Sequence, residues 1–164
     1  MNNTVEAHGY IKLFFHPIKV DEIIQIATNL FQNQFQEKEI NFEIKIDEKL
    51  PHVNVDLEKI SFVLISILGN ALRYTPRWGK IVLKAYLEDN FVTISVKDSG
   101  NGVPARVLDK IFQPLVQTPN NERPLGGGLG LSIAREIIEA HNATISAKST
   151  LEQGSEFAFT LPIA

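Results

Sequence analysis

Three groups of residues in this chain could do chemistry, and each suits a different part of one ligand. The first is Asp98-Ser99-Gly100-Asn101-Gly102. Val92, Ile94, Val96 and Asp98 share one face of an alternating segment, and Thr93, Ser95 and Lys97 the other. The carboxylate therefore points to the core side. There it is costly unless it accepts hydrogen bonds, and the amino group of adenine is a donor of the right kind. Gly100 and Gly102 let a flat base lie against bare backbone. The competing reading is a solvated aspartate in an ordinary Asp-Ser-Gly turn.

The second group is Ser66, Asn70 and Arg73, spaced i, i+4 and i+7 beside the apolar stripe Ile60, Val63, Leu64, Ile67, Leu68 and Ala71. At helical spacing this polar line edges the core, where a pocket rim belongs. The Asn70 carbonyl oxygen suits Mg²⁺, a hard cation that takes oxygen ligands and keeps waters and substrate phosphates. Arg73 can reach phosphate. The competing reading is a solvated helix face.

The third group is Gly126-Gly127-Gly128-Leu129-Gly130-Leu131. Glycines at a helix start expose amides to phosphate oxygens, and the helix dipole adds to them. No Gly-Lys-Ser/Thr follows, so this is not a Walker A loop, and no strand leads into it as a Rossmann turn requires. Residues 113–125 before it are long enough for a lid. The alternative is a flexible loop ahead of a glycine-rich helix start.

The elements that must position these groups follow from periodicity. Residues 1–9 carry none and are expected to be a disordered or appended lead, with a single domain over 10–164. A short strand is expected at 10–15, ended by Pro17. One helix is expected from Val20 to about Gln36, a strand at 40–46, and a connection at 47–55. A second helix spans about Asp56 to Tyr74, with Asp56 as N-cap. A hairpin follows at 80–87 and 91–97, then a short helix at 104–111. A third long helix runs from about Gly128 to Ala140, and strands close the chain near 143–148 and 155–161. Nearly every strand alternates, which predicts an α+β fold. It would be a two-layer sandwich, a mixed sheet with one face covered by about three helices.

Bulk composition narrows the function classes. The chain has 164 residues, 44% of them hydrophobic, and a net charge of −3. That balance offers no basic footprint for nucleic acid. There are no cysteines, which excludes thiol catalysis and disulfides and is compatible with a reducing compartment. No apolar run reaches the ~20 residues of a membrane helix, so no direct membrane contact is expected from this segment. The start lacks the pattern of a signal peptide.

The three groups in this order resemble the ATP-binding catalytic domain of sensor histidine kinases, within the gyrase–Hsp90–histidine kinase–MutL superfamily (the Bergerat fold). Leu68-Gly69-Asn70-Ala71-Leu72-Arg73-Tyr74-Thr75-Pro76 resembles the N box, and Asp98 to Pro104 the G1 box. Ile111-Phe112-Gln113-Pro114 resembles the F box, Gly126 to Ala134 the G2 box, and Gly154 to Pro162 the closing strand. The resemblance covers about residues 10–163.

The resemblance implies roles. Asp98 would bind the adenine amino group, with Gly100, Gly102 and Val103 shaping that pocket and Thr160 also contacting the cofactor. Asn70 would hold Mg²⁺ bridging the phosphates of ATP, and with Arg73 would make up the catalytic pair. Arg73 and Tyr74 would contact phosphate or ribose. Gly126, Gly127, Gly128, Leu129, Gly130 and Leu131 would hinge the lid and approach the phosphates, and Phe112 would anchor the lid base. The γ-phosphoryl group would go to a histidine on a separate dimerisation hairpin, and from there to a response regulator. The setting would be cytoplasmic, even where the longer parent is membrane-anchored.

The chain departs from the family pattern at Ser66, where the N box commonly has a second asparagine, and at Trp78, where a small residue is common. Trp78 is expected to pack over the pocket's outer edge. His8, His16, His52 and His141 are the only histidines. None lies in a phosphoacceptor signature, and all four are expected at the surface or in loops. Two other readings use the same pocket: a degenerate nucleotide-binding regulatory module, and a serine kinase of the anti-sigma-factor type.

Overall fold

The computed structural model describes residues 3–7, 11–113 and 129–164. In chain order the elements are β1 (Asn3–Ala7), β2 (Ile11–Ile18), α1 (Val20–Asn29), α2 (Gln32–Glu37), β3 (Asn41–Ile46) and β4 (Val53–Val55). There follow α3 (Leu57–Tyr74), β5 (Lys80–Glu88), β6 (Phe91–Asp98), α4 (Ala105–Leu108), α5 (Leu129–Ala140), β7 (Ile145–Thr150) and β8 (Gly154–Pro162).

The alternating segments form a five-stranded sheet in the order β3-β5-β6-β8-β7. β3 runs parallel to β5 and the other neighbours are antiparallel, so the sheet is mixed. Ile81, Leu83 and Ala85 of β5, Val92, Ile94 and Val96 of β6, and Phe157, Phe159 and Leu161 of β8 are all buried. Their faces line up through the β5–β6 and β6–β8 registers, such as Leu83 with Val96 and Val96 with Phe157. This face is covered by helices, with α3 in the middle and α1 and α5 against it. The α3 stripe from Ile60 to Ala71 is buried as its spacing requires. The two-layer α+β sandwich expected from alternation is the architecture found.

Several local expectations are corrected. The lead is not wholly irregular: Asn3–Ala7 forms a strand antiparallel to β2. Pro17 does not end β2, which runs to Ile18. β1 pairs with Ile11 to Phe15 and β4 with His16 to Ile18, so among the described residues Pro17 has a strand neighbour on one side only. A missing N–H is tolerated at such an edge. The connection at 47–55 contains β4, which bridges to the main sheet through Val53 and Ile163.

The single helix expected over 20–36 is two helices. The chain turns at Leu30 and Phe31 so that Phe35 stacks on Phe42 of β3, with ring centroids 4.6 Å apart. Ile44, expected on the buried side, is 44% exposed because β3 is an edge strand. Among the described residues Trp78 lines none of the concavities at the candidate site. It is 76% exposed at φ 66°, with the Arg77 guanidinium 5.9 Å from its ring centroid. Among the described residues no helix is long and apolar enough to cross a membrane.

Candidate functional site

The first part of the candidate site is built where β6 stops. Asp98 is the last residue of β6 and is 4% exposed. Its Oδ1 accepts from the Gly100 N–H at 2.9 Å and the Ser155 N–H at 3.2 Å. Its Oδ2 has no partner among the described residues and remains open to a donor. Burial raises the carboxyl above its usual range, and the two backbone hydrogen bonds partly oppose that. The aspartate is thus buried and specifically held, rather than solvated in a turn.

The glycines after it are close approaches. A Cβ on Gly100 would lie 2.5 Å from the Tyr74 carbonyl oxygen. The loop after Asp98 therefore rests on the last turn of α3. Gly102, at φ 75°, packs against the Thr150 carbonyl, where a side chain would be both strained and blocked. Val103 is buried and donates its N–H to Ser149 Oγ at 2.5 Å. Phe112 sets its ring edge against Phe157, 6.2 Å between centroids.

The second part of the candidate site is built by α3 and α5. Ser66, Asn70 and Arg73 line a concavity of about 440 Å³ together with Gly130 and Leu131. Gly130 faces Ser66, and a Cβ there would come 3.3 Å from the hydroxyl oxygen. Asn70 is buried, yet its Oδ1 has no partner among the described residues. The concavity is mostly apolar, with Phe31, Phe62, Ile65 and Ile133 in its lining, but a buried amide oxygen without a partner beside it fits a hard cation, which takes oxygen donors. The Ser66 hydroxyl donates to the Phe62 carbonyl at 2.9 Å. Arg73 is exposed, Tyr74 is half-buried and Leu131 is fully buried.

The remaining residues divide. Gly126, Gly127 and Gly128, and the lid expected over most of 113–125, lie outside the described residues. Leu129 opens α5, and its side chain lies outside them too. Thr160 is not brought to Asp98. It alternates away from buried Phe159 and Leu161 and binds Thr144 on the opposite face of the sheet, accepting its N–H at 3.0 Å.

Ser155 takes the place next to Asp98 that sequence reasoning missed. The signal was there in the alternation: Ser155, Phe157, Phe159 and Leu161 share the core side of β8. Thr75, fully buried with no partner for its Oγ1 among the described residues, was also missed.

His141 is a structural surprise, since a surface or loop position was expected and it is 2% exposed. It stands just past α5. Nδ1 donates to the Ile137 carbonyl at 2.7 Å, which leaves Nε2 to accept the Asp56 N–H at 3.1 Å. Burial lowers its pKa, opposed by the Ile137 hydrogen bond and the nearby Asp56 charge.

Comparison with known proteins agrees with this geometry. Residues 55–164 match the family described as histidine kinase-, DNA gyrase B-, and HSP90-like ATPase. The chain is 34% identical over 164 residues to the adaptive-response sensory kinase SasA of Synechocystis sp., covering 99% of this chain and 41% of that one. It is 38% identical over 152 residues to the SasA of Gloeothece citriformis, covering 92% and 37%. The chain thus spans well under half the length of these relatives.

Among solved structures, the catalytic domain of histidine kinase ThkA superposes with a TM-score of 0.79 at 31% identity, over 91% of this chain and 95% of that one. Full-length ShkA in complex with AMPPNP gives 0.80 at 30% identity, over 94% and 32%. ThkA in complex with the response regulator TrrA gives 0.78 at 30%, over 93% and 43%. A buried aspartate behind close-approach glycines, an open asparagine on the central helix and a matched family profile lead to one conclusion: the chain belongs to the histidine kinase-, DNA gyrase B- and HSP90-like ATPases and is a histidine kinase catalytic domain with their α/β fold.

Proposed function

We propose that this domain, over residues 10–164, holds ATP with Mg²⁺ and passes the γ-phosphoryl group to a histidine on a separate helical hairpin. From there it would travel to a response regulator. The observation that carries the reading is Asp98: buried, fixed through Oδ1, and open at Oδ2 to the amino group of adenine. Gly100, Gly102 and Val103 would form the wall beside the base, with Phe112 behind the start of the lid.

Asn70 would be the protein ligand for Mg²⁺, and Arg73 and Tyr74 would contact the phosphates or ribose. Gly126 to Leu131 would supply amides near the phosphates. Mg²⁺, when bound, neutralises phosphate charge, and positioning with charge neutralisation is most of what phosphoryl transfer asks of a protein. The AMPPNP in ShkA and the response regulator on ThkA support the nucleotide and the downstream partner. A cytoplasmic setting follows from ATP as substrate. Thr160 is not retained as a contact, because its hydroxyl serves Thr144 on the other face.

The test is calorimetry of a non-hydrolysable ATP analogue with Mg²⁺ on the wild type and Asp98→Asn. Loss of a hydrogen bond to a buried charge is expected to weaken binding about 10- to 100-fold. No binding by the wild type, or equal binding by the variant, refutes the reading.

One observation favours a second reading, a nucleotide-holding regulatory module. Ser66 stands where the family commonly has asparagine, and its proton is already committed to Phe62. Adding a cognate hairpin with labelled ATP separates the two, since only a kinase yields acid-labile phosphohistidine.

A further inference from the structure

The loop that carries Asp98 is backed by the turn between β7 and β8. The Glu152 N–H donates to the Asn101 carbonyl at 2.7 Å. Gly154, at φ 110°, presses against the Asp98 carbonyl, as Gly102 does against Thr150. Two segments distant in sequence are thus interlocked through backbone, with glycine on each side of the joint.

Ser149 sits at the centre of that joint. Its Oγ lies 2.5 Å from the Val103 nitrogen, 3.1 Å from Ser155 Oγ and 3.3 Å from the Gly154 carbonyl oxygen. A hydroxyl has one proton and two acceptor lone pairs. All three partners are served at once when Ser149 donates to Gly154 and accepts from the Val103 N–H and the Ser155 hydroxyl. Ser155 in turn donates its N–H to Asp98 Oδ1 at 3.2 Å. One side chain therefore ties the end of the base loop to the strand start that orients the carboxylate.

We propose that Ser149 is a positioning residue that sets base selectivity, without touching the nucleotide itself. It holds Val103 and the Gly154–Ser155 corner so that Oδ2 of Asp98 stays aimed at an exocyclic amino group. The inference rests on Asp98 as the base-reading group. Without the Ser149 hydroxyl, the Val103 N–H loses its acceptor and Ser155 loses a partner. The base loop then shifts relative to β8. What is lost first is the alignment that distinguishes an amino group from an oxygen.

The experiment measures affinities of the 164-residue chain for ADP and IDP with Mg²⁺, because IDP carries an oxygen where ADP carries the amino group. The wild type is expected to prefer ADP by roughly tenfold or more. In Ser149→Ala, ADP affinity falls about 5- to 10-fold while IDP affinity is nearly unchanged, so the preference collapses. Ser149→Thr keeps the hydroxyl and restores it. Should the alanine variant fail to fold by circular dichroism, Ser149→Cys, a near-isostere with a weak acceptor, is expected to show the same selective loss. Equal losses for ADP and IDP, or no loss, overturn the role of Ser149 alone. A wild type that does not prefer ADP overturns the reading of Asp98 and, with it, this one.

Discussion

The first turn of α3 and its last two turns are built on opposite principles. At the first turn, Asp56 Oδ1 caps the Lys59 N–H at 3.1 Å and Oδ2 takes the Phe14 N–H at 3.0 Å. The Asp56 N–H goes to His141, whose ring edge meets Phe15 at 5.1 Å between centroids. Three elements converge and these polar groups are paired. At the other end, Asn70 Oδ1 and Thr75 Oγ1 are buried without a partner among the described residues. Leaving such atoms open costs about 1–3 kcal/mol each. The paired end holds the fold together, and on the proposed function the open end is what a ligand would complete. Ser61 Oγ, one turn in from the paired end, also has no partner among the described residues, and nothing in the structure explains it.

The sharpest way to break this contrast is at Asn70. Asn70→Ala is expected to lower phosphoryl transfer to an added hairpin by about 10²–10³-fold, the scale of losing one preorganised charge-stabilising group. The thermal midpoint should hold or rise, because the deleted oxygen had no partner to lose and its burial cost goes with it. A variant that melts early and transfers normally would make Asn70 a structural residue.

The paired end predicts the reverse. Asp56→Ala removes a cap and the Phe14 contact, and should cost about 2 kcal/mol in denaturant unfolding. Nucleotide affinity of the folded fraction should stay unchanged. A stable variant with weakened binding would erase the division between the two ends.

The smallest effect is a pH dependence. His141 is lowered in the fold, so the unfolded chain protonates first as pH falls below about 6.5. Stability should drop through that window towards the lowered folded value, by no more than about 1.4 kcal/mol per pH unit. Asp98 has the opposite sign. Its raised pKa favours the fold at low pH, a contribution lost as pH rises through the folded value. Replacing His141 by Gln should remove the first slope and leave the second. Unfolding curves across that range that are identical for wild type and variant would show that His141 is not held neutral.

Much of this was legible in the sequence, for reasons that differ by element. The sheet was readable because alternation reports burial directly, and α3 because a helix central to the layer carries a full stripe. The Asp56 cap followed from residue type alone. The break between α1 and α2 was not readable, since no glycine or proline marks it. The turn brings Phe35 onto Phe42 of β3, a contact between segments that no local pattern announces.

At the site, Asp98 was legible because a carboxylate on the core side of a strand contradicts its surroundings. Thr160 was placed with it by family resemblance, and the register of β8 sends it to the other face. Ser149 and His141 act through partners 46 and 85 positions away, and such pairings leave no local pattern.

Trp78 carries a consequence of another kind. It is the single tryptophan of the chain, and its indole stands almost fully in water. Its neighbour Gly79 packs close to Ser99, and the Ser99 hydroxyl takes the Lys80 N–H at 2.8 Å. The backbone just after the chromophore therefore meets the residue directly after Asp98. The domain comes with its own optical reporter, unlabelled and uncontested by other indoles, mounted beside the loop that an experimenter would most want to watch as nucleotide is added.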